Sequence, residues 1–252
     1  MAAGLAAAAQ VVEKEFPCPA CGKPFYARLD VADSKFEMRL DLRPAGPIFD
    51  PWLLPDCPVC GFVTYMYPVP KAELAKCRVI VASEDYKKNL ARSTYFRLGL
   101  IYEKLGKTDY VLANTFLKAS WQEESEAAKL KEDQELSLKY FSACALTCRA
   151  DEQENSQLLM GELLRRLGRF GEAQAHLAGL QKLKGFQKNF FADIVEYELK
   201  LCLKKDTSPH SMEDVKEFKK PFFPWLLGKL KKSVNYMGEL GGKIQFFFKH
   251  LW

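Results

Sequence analysis

Histidine is scarce in this chain of 252 residues: three copies, at positions 176, 210 and 250. None presents an evident nucleophile partner, so imidazole-assisted catalysis has no seat. Long apolar runs are missing too. No uncharged stretch approaches the roughly 18 residues that a membrane-crossing helix needs. The apolar start, 1–9, has no Lys or Arg ahead of it, which argues against a secretory signal peptide. Eight cysteines are too few for a disulfide scaffold. A body with excess charge is also lacking: residues 1–84 hold 9 Lys/Arg and 10 Asp/Glu, and residues 85–215 hold 20 of each. A neutral body is poorly suited to tracking a phosphate backbone. With 48% hydrophobic and 27% charged residues the chain is globular rather than disordered.

What is present falls into three segments. Residues 14–70 read as a small zinc-ribbon-like module. Ten prolines between 17 and 70 exclude a long helix there and leave short strands, Phe25–Val31 and Phe62–Tyr67. So small a unit needs a staple. Cys18-Pro-Ala-Cys21-Gly22 and Cys57-Pro-Val-Cys60-Gly61 supply one. Two thiolates two residues apart grip one ion from a tight turn, and the following Gly admits the backbone that aims amides at sulfur. Cys18, Cys21, Cys57 and Cys60 thus form the tetrahedral set that Zn²⁺ prefers. The long gap between the pairs costs only slowly growing closure entropy. Four protein ligands leave no open position for catalysis, and free thiolates point to a reducing compartment, hence the cytoplasm. Loss of the ion is expected to unfold residues 16–70 and spare the helices. Cys144 and Cys148, four apart, read as packed interior rather than ligands.

Residues 84–205 read as helical, because proline is absent from 71 to 208. Two stretches there look alike, each with glycines seven apart: Gly99 and Gly106, then Gly161 and Gly168. A second amphipathic helix follows each, with Leu112, Phe116 and Ala119, then Ala173, Leu177 and Leu180. This resembles the paired helices of tetratricopeptide repeats. Residues 123–149 read as one inserted helix with Leu136, Tyr140, Ala143 and Leu146 inward, and 187–204 as another. Gly106-Lys107-Thr108 lacks the earlier Gly and strand of a phosphate loop. The acidic run Glu123, Glu124, Glu126 reads as a solvated face.

Residues 216–252 form a basic aromatic tail with 8 Lys and 2 Glu, so the whole charge excess of +6 over a −1 body sits there. Its apolar stripes suit a cap on the helix stack, a docking element, or peripheral contact with a membrane surface.

Two CPxCG-type pairs, an acidic Pro-rich spacer and repeat-like helices together resemble an uncharacterised bacterial family, a domain of unknown function joining a four-cysteine zinc-ribbon-like module to tetratricopeptide-like repeats. The matching residues are Cys18, Cys21, Phe25, Asp41, Pro44, Pro51, Cys57, Pro58, Cys60, Gly61 and the run Gly161–Gly168. The resemblance spans about residues 14–185. Asp50 departs from the Asn usual before the spacer proline, a change in a loop and not at the metal. The family implies a bacterial cytoplasmic metal-binding protein and no established activity.

The expected fold is therefore mostly α, with tetratricopeptide-like hairpins behind a small N-terminal zinc module. The expected function is a non-catalytic adaptor for a protein partner. Phe96, Leu100 and Glu103 of the first repeat and Leu158, Glu162 and Arg165 of the second are the expected partner-binding positions. A nucleic-acid-associated zinc protein is the alternative, disfavoured by the near-neutral charge around the cysteines.

Overall fold

The computed structural model describes residues 10–31, 37–45, 53–66, 68–145, 149–187 and 189–219. The chain divides between Phe218 and Lys219, and the unit before this division holds the elements that follow, the last of which ends at Lys219. The tail beyond it, Asp50, Pro51, Leu146 and Cys148 lie outside the described residues.

Strand β1 (Gln10–Pro17) pairs antiparallel with β2 (Pro24–Val31), placing Phe16 opposite Phe25 and Pro17 opposite Pro24. The turn between them carries the first cysteine pair. Strands β3 (Glu37–Met38) and β4 (Pro44–Ala45) form a second, shorter ladder. The strand expected at 62–67 is not a ladder strand. Cys57 N–H instead donates to the Phe62 carbonyl at 2.9 Å to close the second cysteine turn, and only an isolated bridge, Asp56 to Val63, remains.

The rest is helical, and the mostly α fold holds. Helix α1 (Lys71–Ala82) begins directly after Pro70 and was not anticipated from sequence. Proline is at home at a helix start because the missing N–H would lack a partner there anyway. A one-turn helix α2 (Glu84–Lys87) follows, with Ser83 Oγ accepting from Tyr86 N–H. Helices α3 (Thr94–Leu105) and α4 (Asp109–Gln122) are capped alike by Ser93 and Thr108. Then come α5 (Ala127–Cys144), α6 (Ala150–Arg166), α7 (Phe170–Leu180), α8 (Phe190–Leu203) and α9 (Met212–Lys219). Each helix from α3 to α7 packs on the next.

The two similar stretches become α3–α4 and α6–α7, and they pack by the same device. A Cβ on Gly99 would lie 2.6 Å from the Phe116 ring, and one on Gly161 would lie 2.6 Å from Leu177 Cδ2. Glycine therefore sets how closely each hairpin's helices approach. In α5 the inward face runs through Gln134, Ser137, Leu138, Phe141 and Cys144. Leu136 and Tyr140 are half-buried and Ala143 is exposed, so the expected stripe is rotated. The cause is that α5 meets both α4 and α6, and two neighbours bury a wider arc than one stripe.

The N-terminal segments do not keep a core of their own. Cys18, Phe25, Cys57 and Phe62 share one buried cluster with Cys77 and Val81 of α1, Tyr86 of α2 and Ile101 of α3. Leu40 enters the large cluster formed by α4 to α9. Its N–H donates to the His210 carbonyl at 2.9 Å, and Arg39 bridges to Ser211.

Candidate metal centre

The two cysteine turns are built the same way. Gly22 N–H donates to the Cys18 carbonyl and Gly61 N–H to the Cys57 carbonyl, both at 2.8 Å. Both glycines hold positive φ, +74° and +72°, a conformation that a side chain would strain. The turns face each other across the module. Cys18 Sγ lies 3.6 Å from Cys60 Sγ, and Cys21 Sγ lies 3.7 Å from Cys57 Sγ. All four sulfurs stand within 4.8 Å of one another, so the four residues could hold a metal ion.

Burial pushes the Cys18 and Cys60 thiols above their ordinary range, against backbone amides that favour the thiolates. Burial pulls Cys21 upward as well, but the Lys23 amide and the neighbouring sulfurs outweigh it and leave its thiol lowered. Four sulfurs crowded in this way cannot all ionise without a cation between them, which is what a metal supplies.

The second turn is held from outside by residues that the sequence did not single out. The Gly61 carbonyl accepts from Tyr86 Oη at 2.8 Å and from Arg97 Nη1 at 3.1 Å. Arg97 Nη2 also reaches Asp56 Oδ2 at 2.7 Å. Leu90 lies against Gly61 itself. The first turn has fewer such holds: Arg78 donates to the Ala20 carbonyl at 2.9 Å and the Pro19 carbonyl at 3.3 Å. The signal for Arg97 was its place among Tyr95, Phe96 and Leu98, where a helix face is otherwise apolar.

The remaining cysteines are not ligands of this cluster. Cys77 is buried beside Tyr65, and Cys202 is buried with its thiol pushed up to about 11 by that burial. Cys144 is disulfide-bonded rather than merely packed.

Four of the six expected partner-binding residues are not on a surface. Phe96 and Leu158 belong to the core. Glu162 and Arg165 are fully buried and bind each other, Nε to Oε2 at 2.8 Å and Nη2 to Oε1 at 2.7 Å. Arg165 Nη1 then reaches the Asp206 carbonyl. Charge on a helix face reads as surface in sequence, but here the pair neutralises itself between α6 and α8. Leu100 and Glu103 are half-buried, and Glu103 accepts from the Tyr140 hydroxyl.

The acidic run is solvated only at Glu126, which is exposed beside Lys129. Glu123 is buried against Arg92, and Glu124 joins Arg39, Arg43 and Arg166. Thr108 of the Gly-Lys-Thr stretch caps α4, while Lys107 pairs with Glu73 at 3.0 Å. His210 Nε2 faces Asp206 Oδ2 at 3.0 Å and Ser208 Oγ at 3.3 Å. The Ser208 hydroxyl donates to Asp206 within the same turn. Among the described residues no helix is long and apolar enough to cross a membrane.

Fold and site together define a helical protein with a four-thiol cluster that could hold a metal ion, set into its N-terminal segments. No protein family, no curated protein and no solved structure matches the chain.

Proposed function

We propose that the protein is a non-catalytic adaptor: one structural Zn²⁺ secures its N-terminal segments, and its tetratricopeptide-like helix stack receives a protein partner. The sulfur geometry carries the reading. A tetrahedral centre with zinc–sulfur bonds of about 2.3 Å has sulfurs about 3.8 Å apart. The facing pairs stand at 3.6 and 3.7 Å. Bound zinc supplies a cross-link there, since four protein sulfurs fill its coordination and leave no site for a reacting water.

Free thiolates favour a reducing cytoplasm, whereas the Cys144 disulfide weighs the other way. A count of free thiols in protein taken directly from cells decides between them. The main test is metal analysis of reduced protein purified without chelator. The expected result is one zinc per chain, lost in Cys57→Ser. A partner retained by the zinc-loaded protein and released by Cys57→Ser supports the adaptor role, and retention by both variants counts against a role for the metal in it.

A further inference from the structure

We propose that the metal acts as a clasp: it fastens the hairpin β1–β2 onto a second cysteine turn that the helices hold in place with or without the ion. This rests on the metal reading above and adds that the two halves of the site are unequal.

The second turn is fixed by the helical body. Its Gly61 carbonyl takes two donors, Tyr86 Oη and Arg97 Nη1, and Arg97 also binds Asp56 beside Cys57. Leu54 N–H reaches Thr94 Oγ1 at 3.4 Å just before it. Phe62 and Val63 just after it are both 0% exposed. None of these bonds involves the metal ligands' sulfurs.

The first turn is fastened differently. It sits at the end of a two-stranded hairpin, and such hairpins are marginal in water on their own. The body reaches its backbone through the exposed side chain of Arg78. Cys18 and Phe25, with the half-buried Phe16, Ala20 and Ala27 packed beside them, provide the apolar hold, and Cys21 is exposed. The ion would therefore supply the decisive attachment of 10–31.

Without it the hairpin lifts, and the face it covers opens. That face comprises Cys77 and Val81 of α1 and Tyr86 of α2, all buried when the hairpin is down. Metal occupancy thereby controls access to an apolar surface on α1 and α2. The unfolding of 16–70 as one block, expected from sequence, gives way to release of 10–31 alone.

The test is hydrogen–deuterium exchange on the full chain, read peptide by peptide, as isolated and after chelation, with zinc added back. Metal content is measured first. The expected result is exchange at least about tenfold faster across 10–31, the equivalent of about 1.4 kcal/mol. Residues 53–66 and 94–122 keep their protection, and zinc reverses the change. Cys21→Ser, whose site is exposed and tolerates the change, is expected to show the same pattern without chelator. Equal opening of 53–66, or no change in 10–31, in a protein that does bind metal overturns the clasp and leaves the metal site standing. Protein that neither carries nor takes up zinc overturns both.

Discussion

At the scale of single residues, the four-thiol cluster is held in place by side chains other than its cysteines. Tyr86 and Arg97 share one acceptor, the Gly61 carbonyl. Tyr86→Phe leaves Arg97 in place, so the expected cost is about 0.5–1.5 kcal/mol, one net hydrogen bond. Arg97→Ala removes the bonds to the Gly61 carbonyl, the Arg92 carbonyl and Asp56, the last of which is exposed and is taken over by water, so about 1–3 kcal/mol is expected. Urea unfolding of both variants measures this order. An Arg97 variant no weaker than the Tyr86 variant would contradict the assigned roles. The ligands themselves were readable in the sequence, because two thiols at fixed spacing with a following glycine have few other uses. Their supports were not, since a buried tyrosine or arginine carries no mark of the carbonyl it will serve. The inward turn of Glu162 and Arg165 was hidden for the same reason: each looks like surface until its partner is placed.

At the scale of elements, two helix hairpins were legible from glycine spacing and apolar period, while α1 was overlooked beside the proline-rich stretch. The glycine argument is testable. Gly161→Val forces atoms into Leu177, and overpacking of about 1–3 kcal/mol or more is expected, read as a lowered melting temperature. A second prediction concerns the joint of α3, α4 and α5. Arg92 there binds Glu123, Glu132 and Asp133. Asp133 is fully buried, with Oδ2 lacking a hydrogen-bond partner among the described residues. Burial, then the charge of Glu123, raises its carboxyl to about 9. The unfolded chain releases this proton near the ordinary value of about 3.9. Between those values the folded chain binds one proton more, so this group's contribution to stability falls as pH rises and levels off above about 9. D133N removes the titration. Melting temperatures between about pH 5 and 9 are expected to decline more steeply for the native chain than for D133N. Parallel curves would remove Asp133 from the account.

At the scale of the molecule, the N-terminal segments and the helices form one body rather than a module beside a stack. Chelation is therefore expected to lower the melting temperature of a single transition while the far-ultraviolet helical signal at room temperature persists. A separate early transition, or loss of helix, would mean that the segments fold apart or that the stack depends on the ion. The composition of 14–70 announced its need for a staple but not what it leans on, because long-range partners leave no local pattern. One of those partners has a consequence in time. The backbone bond from Leu40 to His210, and the bridge from Arg39 to Ser211, join the first quarter of the chain to the segment just before the last of its described helices. On a ribosome adding roughly 5–20 residues per second, the segment around Leu40 emerges on the order of ten seconds or more before its seat exists. The cysteine turns and helices α1 to α3 complete their contacts well before then. The four-cysteine cluster can thus assemble on a nascent chain, whereas the Leu40 strap must wait, exposed to chaperones and proteases, until the last helices are made.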